Sequence, residues 1–140
     1  MKKYFSFPFL FYVLSFSAFA QNSDIPLNIH DYFNSGISKT LPAIYIWDAS
    51  KEATYSHSGA GFNIDNVALS KEKPNKGFSF LEKLVKSGKK WNQESKTLVF
   101  VKFDKSVVNC EPCNITQDYL NSLPENKASE YHIVTVSVSK

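Results

Sequence analysis

Three segments of the chain have the hydrophobic pattern of strands. Leu41–Trp47 and Thr97–Phe103 are continuous apolar runs rich in β-forming residues, which is typical of strands covered on both faces. Each run is followed by an Asp-x-Ser sequence, at Asp48 and Asp104, which predicts two similar strand exits. Tyr131–Lys140 instead alternates between valines and more polar residues, which predicts a strand with one face less fully covered.

Two further segments predict helices, because their apolar residues recur every three or four positions. Ser79 and Glu82 have the spacing of a capping box at the start of the first helix. The predicted apolar faces consist of Phe78, Leu81, Leu84, Val85 and Trp91 in the first helix, and of Ile115, Tyr119, Leu120 and Leu123 in the second. The order of strands and helices predicts an α/β domain with a small, mainly parallel central sheet and right-handed crossovers.

The remaining segments suggest the domain boundaries. Residues 21–40 are polar, so we expect an N-terminal arm that leads into a domain at residues 41–140. Residues 51–76 are less regular and predict an insertion, in which Ala53–Ser58 and Gly61–Leu69 form a hairpin. Residues 21–140 together have the size of one domain with its own core.

The first twenty residues have the organisation of a secretory signal peptide. Two lysines precede the apolar run Phe5–Phe16, and Ala18–Ala20 offers a small-x-small cleavage pattern before Gln21. The run is too short to be a stable membrane span. We therefore expect residues 1–20 to be removed and the mature protein to be periplasmic, without a stable membrane span. An uncleaved N-terminal anchor is the alternative.

The charge of the chain argues against nucleic acid as a partner. Removal of the two lysines of the leader lowers the formal net charge from +3 to +1, and all 16 basic residues are lysines. Arginine is the side chain whose planar fork suits bidentate contacts to phosphate and guanine. The sequence contains none.

The two cysteines are the strongest candidates for chemistry. Cys110-Glu-Pro-Cys113 precedes the second predicted helix, and an oxidising compartment favours a disulfide or a redox-cycling pair. A cysteine at a helix N-terminus gains thiolate character, and a second sulfur nearby can resolve a mixed disulfide. We therefore predict Cys110 as the exposed nucleophile and Cys113 as the resolving thiol. Glu111 opposes formation of the Cys110 thiolate through its own charge.

Metal binding is a weaker interpretation of the same pair. Two thiolates fall short of the four ligands of a usual zinc site, and His30, His57 and His132 are scattered along the chain. Capture of copper(I) stays open as a minor alternative, because soft thiolates suit that ion. We expect no cofactor.

A Cys-x-Pro-Cys sequence between a buried strand and a helix resembles the thioredoxin superfamily. The tetrapeptide Cys-Glu-Pro-Cys is similar to that of exported reductases that serve cytochrome c maturation. The resemblance implies a small three-layer thioredoxin-like domain that performs thiol–disulfide exchange on another exported protein. It also places Asp104, six residues before Cys110, where the family has a buried acid that accepts a proton from the resolving cysteine.

The chain departs from the family pattern in three respects. Asn109 replaces the usual aromatic residue before the first cysteine, and Lys105 and Ser106 follow the acid where aromatic or small residues are expected. The family's C-terminal ββα unit and cis-proline loop come after the third strand, so the expected domain lacks them. Pro124 precedes that strand and does not correspond to the cis-proline by position.

A second functional class therefore stays open, a non-catalytic binding or assembly module. Accessory proteins of secretion, pilus or conjugation machinery fit this description, with a structural Cys110–Cys113 disulfide at the start of a helix. Tyr55 and Phe62 are candidate contact residues of such a module, although core packing is the more common role of each aromatic residue.

Overall fold

A computed structural model describes residues 23–71, 75–87 and 96–140, and within them the chain forms an α/β fold. The strands are β1 (Ser23–Asn28), β2 (Ala43–Asp48), β3 (Ala53–Ser58), β4 (Lys96–Phe103) and β5 (Tyr131–Ser139). The helices are α1 (Ile29–Asn34), α2 (Lys76–Ser87), α3 (Glu111–Asn121) and α4 (Glu125–Ala128), with a 3₁₀ turn at Ile64–Asn66. The predicted leader and Trp91 lie outside the described residues.

The five strands form one mixed sheet in the order β1-β5-β4-β2-β3. β1, β5 and β4 run parallel to one another, whereas β2 is antiparallel to both of its neighbours. The prediction of a mainly parallel sheet is therefore wrong at β2, where Ala43 pairs with Val101 and Trp47 with Thr97. A continuous apolar run reports burial on both faces and carries no information about strand direction. β2 turns directly into β3, so β3 is the strand that runs parallel to β4.

The segment expected to be an arm contains the edge strand β1 and the helix α1. Every residue of β1 pairs with β5, from Ser23 with Val134 to Asn28 with Ser139. The strand is short and carries Pro26, which an edge strand tolerates because one row of its amides faces solvent. Because of this proline and the polar residues around β1, the sequence pattern does not predict the strand.

The segment 51–76 also differs from the predicted insertion. β3 forms its hairpin with β2, and its other edge forms an isolated bridge between Thr54 and Ser70. The residues predicted to form the second hairpin strand contain the 3₁₀ turn instead. Its side chain Ile64 is buried, so the segment contributes to the core without adding a strand.

Alternate residues of the sheet belong to two apolar clusters, one on each face. The first cluster includes Ala43, Tyr45, Trp47, Val99, Val101, Val134, Val136 and Val138 of the sheet, together with Tyr32, Phe78, Leu81 and Val85 of α1 and α2. The second includes Ile44, Ile46, Leu98, Phe100 and Ile133 of the sheet, together with Phe62, Ile64 and Leu120. Helices or turns therefore pack on both faces of the central strands.

The polar face of β5 is enclosed, contrary to the expectation of a less covered face. Thr135 and Ser137 are 4% and 8% exposed. The Ser137 hydroxyl donates a hydrogen bond of 2.8 Å to the Asp24 carboxylate on β1. The docking of β1 thus gives this face of β5 a polar neighbour.

Helix α2 confirms the predicted apolar face and corrects the predicted cap. Phe78, Leu81 and Val85 are buried, as their spacing predicts. The first turn is capped by Asn75, whose side-chain oxygen accepts a hydrogen bond from the Phe78 amide at 3.2 Å. Ser79 lies inside the helix, because α2 begins at Lys76, four residues earlier than a cap at Ser79 requires.

Candidate thiol–disulfide site

The cysteines form a disulfide in the first turn of α3. The S–S distance is 2.05 Å, and the two Cα atoms are 5.2 Å apart. Cys110 is the N-cap residue, and its Sγ accepts a hydrogen bond from the Cys113 amide at 3.2 Å. Pro112 fits the same turn, because an amide in the first helical turn needs no partner within the helix. The local sequence thus folds both sulfurs onto the positive end of the helix dipole.

The two sulfurs differ in access. Cys113 is 1% exposed and belongs to the first apolar cluster, whereas Cys110 is half-buried at the edge of that cluster. This difference agrees with the relative exposure predicted from the sequence. An incoming thiolate therefore reaches Cys110 more readily than Cys113. Glu111 lies at the first helical position and is exposed.

Asp104 anchors the loop that leads to Cys110. Its amide donates to the Val138 carbonyl at 2.8 Å, and its own carbonyl accepts from the Val107 and Val108 amides at 3.0 and 3.3 Å. Its carboxylate accepts a 2.7 Å hydrogen bond from the Ser106 hydroxyl, which is the main reason why the pKa of Asp104 is lowered. These contacts fix the loop between β4 and α3.

Asp104 is not hydrogen-bonded to either cysteine among the described contacts. Its carboxylate is bound within its own turn, and it lines an open cavity of about 340 Å³. The other residues lining this cavity are Asp24, Pro26, Ser137 and Ser139. The resemblance implies a buried acid beneath the pair, whereas this carboxylate is partly exposed and faces Ser106.

The segment before β2 lies beside the carboxyl end of β4. Ala43 pairs with Val101 near the end of β4, so the preceding Leu41–Pro42 peptide, which is cis, lies beside that end. Leu41 belongs to the same apolar cluster as Cys113. Sequence reasoning did not place this segment in the same apolar cluster as Cys113, although a Leu-Pro dipeptide immediately before a buried strand was the available signal.

Two tyrosines hold this segment in place. The Tyr32 hydroxyl donates to the Ser38 carbonyl at 2.7 Å, and the Ser38 amide donates to the Tyr45 hydroxyl at 2.9 Å. Burial raises the pKa of Tyr32 to about 12 and also raises the pKa of Tyr45. Both side chains are therefore neutral at physiological pH and fix the backbone of Ser38 from either side.

The aromatic residues considered as contacts of a binding module belong to the core. Phe62 is 6% exposed, and Tyr55 packs partly buried against the same cluster. Within the described ranges, no group of three or more histidine, cysteine, aspartate or glutamate side chains is arranged to hold a metal ion. None of the helices in the same ranges has both the length and the apolar character needed to cross a bilayer.

Comparison with known proteins adds no relative. No family model matches the sequence, and no curated protein or solved structure matches it either.

Proposed function

We propose that this protein carries out thiol–disulfide exchange on another exported protein, through Cys110 and Cys113, in the periplasm. The observation that carries the proposal is the asymmetric disulfide at the start of α3. One sulfur is partly accessible at the helix N-cap, and the other is 1% exposed behind it. This arrangement directs an incoming thiolate to a single sulfur and leaves the other as the leaving group.

The exchange begins from the oxidised form of the protein. A partner thiolate attacks Cys110 Sγ, the Cys110–Cys113 bond breaks, and its electron pair leaves on Cys113 Sγ, which takes up a proton from solvent. A second partner thiolate then attacks the partner's sulfur in the mixed disulfide and releases Cys110 as a thiolate. Two electrons pass to the protein, and the partner gains a disulfide. The reverse sequence reduces a partner disulfide.

The helix N-terminus stabilises the Cys110 thiolate that this cycle requires. The Cys113 amide already points at Cys110 Sγ at 3.2 Å, and the dipole of α3 favours negative charge there. Glu111 lies beside that thiolate and opposes it, which tempers the oxidising strength of the pair. Asp104 acts by shaping the loop before Cys110, since its carboxylate is occupied by Ser106.

The order of strands in the sheet also supports a three-layer thioredoxin-like arrangement, in which the strands follow one another in a different order along the chain. The resemblance calls for an antiparallel strand pair beside the strand that leads to the cysteines. Here β2 and β3 occupy that position beside β4, although they precede it in the chain.

A non-catalytic assembly module with a structural disulfide is the second candidate. The observation that favours it is the position of the Asp104 carboxylate, which is hydrogen-bonded within its own turn and not to Cys113. A four-residue disulfide turn of this kind adds only modest stability, because the loop that it closes is short. In this case the Cys110–Cys113 disulfide has only a structural role at the start of α3.

Trapping of a mixed disulfide separates the two candidates. We expect Cys113→Ser to accumulate a covalent complex with an exported protein, because Cys110 attacks a partner disulfide and Cys113 is no longer present to resolve the intermediate, whereas Cys110→Ser accumulates none. Non-reducing gels of periplasmic extracts, followed by mass spectrometry, provide the measurement. If neither variant traps a partner and both retain the biological activity, the disulfide is structural and the protein is a non-catalytic assembly module.

Alkylation of the reduced protein provides a second measurement of the same site. Cys110 should react first, with a pH dependence centred below about 8.5, the value of a free thiol. Reaction of Cys113 before Cys110 contradicts the proposed roles.

A further inference from the structure

Two exposed apolar side chains flank the disulfide in the sequence. Val108 is 46% exposed two residues before Cys110, and Ile115 is 62% exposed two residues after Cys113. Ile115 is on the outer surface of α3, whereas Cys113, Thr116 and Leu120 form the buried side of the same helix. Ile115 belongs to neither apolar cluster of the described residues.

Two acidic residues lie on the same face of α3 as Ile115. Glu111 precedes it by four residues and Asp118 follows it by three, which are the spacings of neighbours on a helix surface. The ion pairs found among the described residues involve other acids, namely Asp31, Glu82 and Asp65. α3 itself contains no basic residue. This surface, formed by Glu111, Ile115 and Asp118, is called the α3 face below.

We infer that the α3 face docks the polypeptide segment that carries the partner's reactive cysteine, and that this segment combines an apolar side chain with basic residues. The inference rests on the proposed exchange function and names its substrate class. Charge complementarity selects the partner, because two unpaired carboxylates flank the apolar contact. Opposite charges across an interface raise the association rate and suppress partners of the same charge.

The helix geometry sets the spacing of the partner's residues. A rise of 1.5 Å per residue places Glu111 and Asp118 about 10 Å apart along α3, with Ile115 between them. An extended peptide spans about 10 Å in three residues. Side chains of an extended segment alternate between its two faces, so the match in length depends on the long lysine stem to carry one of the two charges round to the α3 face. A basic-apolar-x-basic sequence directly after the cysteine supplies two basic residues at this spacing.

Model peptides test this inference with the full mature protein in its reduced form. The peptides are Cys-Lys-Leu-Ser-Lys, Cys-Glu-Leu-Ser-Glu and Cys-Gln-Ser-Ser-Gln, each as a mixed disulfide with 2-mercaptoethanol. The rate of exchange with the protein is divided by the rate of the same peptide with dithiothreitol, which removes differences in peptide reactivity. We expect the basic peptide to react about five- to tenfold faster than the acidic one at low ionic strength, with a smaller ratio in about 1 M salt.

Variants of the α3 face have matched controls elsewhere on the surface. Ile115→Ser and Asp118→Asn should each lower the rate of the basic peptide about two- to fivefold. Phe33→Ser and Glu125→Gln change an exposed apolar residue and an exposed acid outside α3, and they should match the wild type. Equal relative rates for the three peptides, or Ile115→Ser and Asp118→Asn indistinguishable from their controls, overturn the inference.

Bis(2-hydroxyethyl) disulfide separates failure of the docking inference from failure of the exchange function. This probe is small and uncharged, so it reports the reactivity of Cys110 alone. If the reduced protein reacts with it no faster than dithiothreitol does, the exchange function fails. If it reacts faster but shows no preference among the peptides, only the docking inference fails. Binding of fluorescent Ser-Lys-Leu-Ser-Lys to the oxidised protein gives a readout without exchange, and binding no tighter than Ser-Glu-Leu-Ser-Glu overturns the docking inference.

Discussion

Two strand exits of this protein are built by the same three-residue turn. The Asp48 carboxylate accepts hydrogen bonds from the Ser50 hydroxyl at 2.6 Å and from the Ser50 amide at 3.1 Å. The Asp104 carboxylate has the same two partners at Ser106, and hydrogen bonding to the serine hydroxyl lowers the pKa of both acids. The repeated Asp-x-Ser pattern predicted this similarity from the sequence, because the aspartate and the serine that bond lie two residues apart.

Ser50→Ala should make the free energy of unfolding depend less on pH in the acid range. The lowered pKa of Asp48 means that the folded state binds its proton more weakly than the unfolded state. The resulting stabilisation is complete above the ordinary pKa of a carboxyl and is lost as the pH falls through the lowered folded value. Urea unfolding should therefore show the variant as less stable at pH 7 and nearly equal to the wild type near pH 2. An equal deficit at both pH values contradicts this assignment.

Glu111→Gln should make Cys110 a better thiolate. Removal of the neighbouring negative charge lowers the thiol pKa slightly, because exposed charges interact weakly through solvent. The measurement is the pH dependence of the rate at which iodoacetamide alkylates the reduced protein. Glu125→Gln removes an exposed acid from α4 and serves as the control. A midpoint that stays fixed or rises refutes the role of Glu111.

At the scale of elements, α2 and the loop after α1 approach each other so closely that a glycine is required. An ideal Cβ on Gly77 would lie 2.8 Å from the Gly36 carbonyl oxygen and 3.1 Å from Ile37 Cα. Both neighbours are backbone atoms, so neither rotates away. The contact holds the start of α2 against the segment that leads to β2.

Gly77→Ala should therefore destabilise the protein, although alanine is the better helix former. The steric conflict costs about 1–3 kcal/mol and exceeds the gain of about 1 kcal/mol in helix propensity. Ser79→Ala, at an exposed position of the same helix, is the matched control and should be close to neutral or slightly stabilising. Chemical denaturation of both variants gives the comparison. A Gly77→Ala protein more stable than the wild type rules out the close contact.

The sequence predicted some elements well and concealed others for physical reasons. The apolar run Thr97–Phe103 predicted β4, and the alternation after Tyr131 predicted β5. The order of elements predicted that these two strands run parallel, and the spacing of Phe78, Leu81 and Val85 predicted α2. The sequence pattern did not predict β1, because an edge strand with one exposed face needs few apolar residues. At the site, the exposure of Cys110 and Cys113 follows from local helix geometry. The surroundings of Asp104 depend on a turn and on strands distant in sequence, which the Cys-x-x-Cys motif does not specify.

At the scale of the whole molecule, β1 forms one edge of the sheet and pairs with β5. β1 pairs with β5 over its full length, beginning at Ser23. The predicted cleavage site before Gln21 lies two residues ahead of this strand, so removal of the leader leaves β1 complete. Cleavage and folding are therefore compatible.

N-terminal sequencing of the protein recovered from the periplasm should find Gln21, or a residue within a few positions of it. Replacement of Ala18 and Ala20 by bulky residues should block processing, because the signal peptidase requires small residues there. Recovery of the wild-type protein with its intact N-terminus in the inner membrane contradicts the assignment.

The position of β5 between β1 and β4 also governs the timing of folding. A chain that emerges N-terminus first presents β1 long before the partner of that strand exists, since about a hundred residues separate the two. Until β5 inserts, β1 has no ladder to join, and β4 lacks one of its two neighbours. Such non-local parallel pairing is slow, because the loop must close before its contacts form. The domain therefore stays open until its last strand arrives, and the cysteines of α3 are accessible to other thiols throughout that interval.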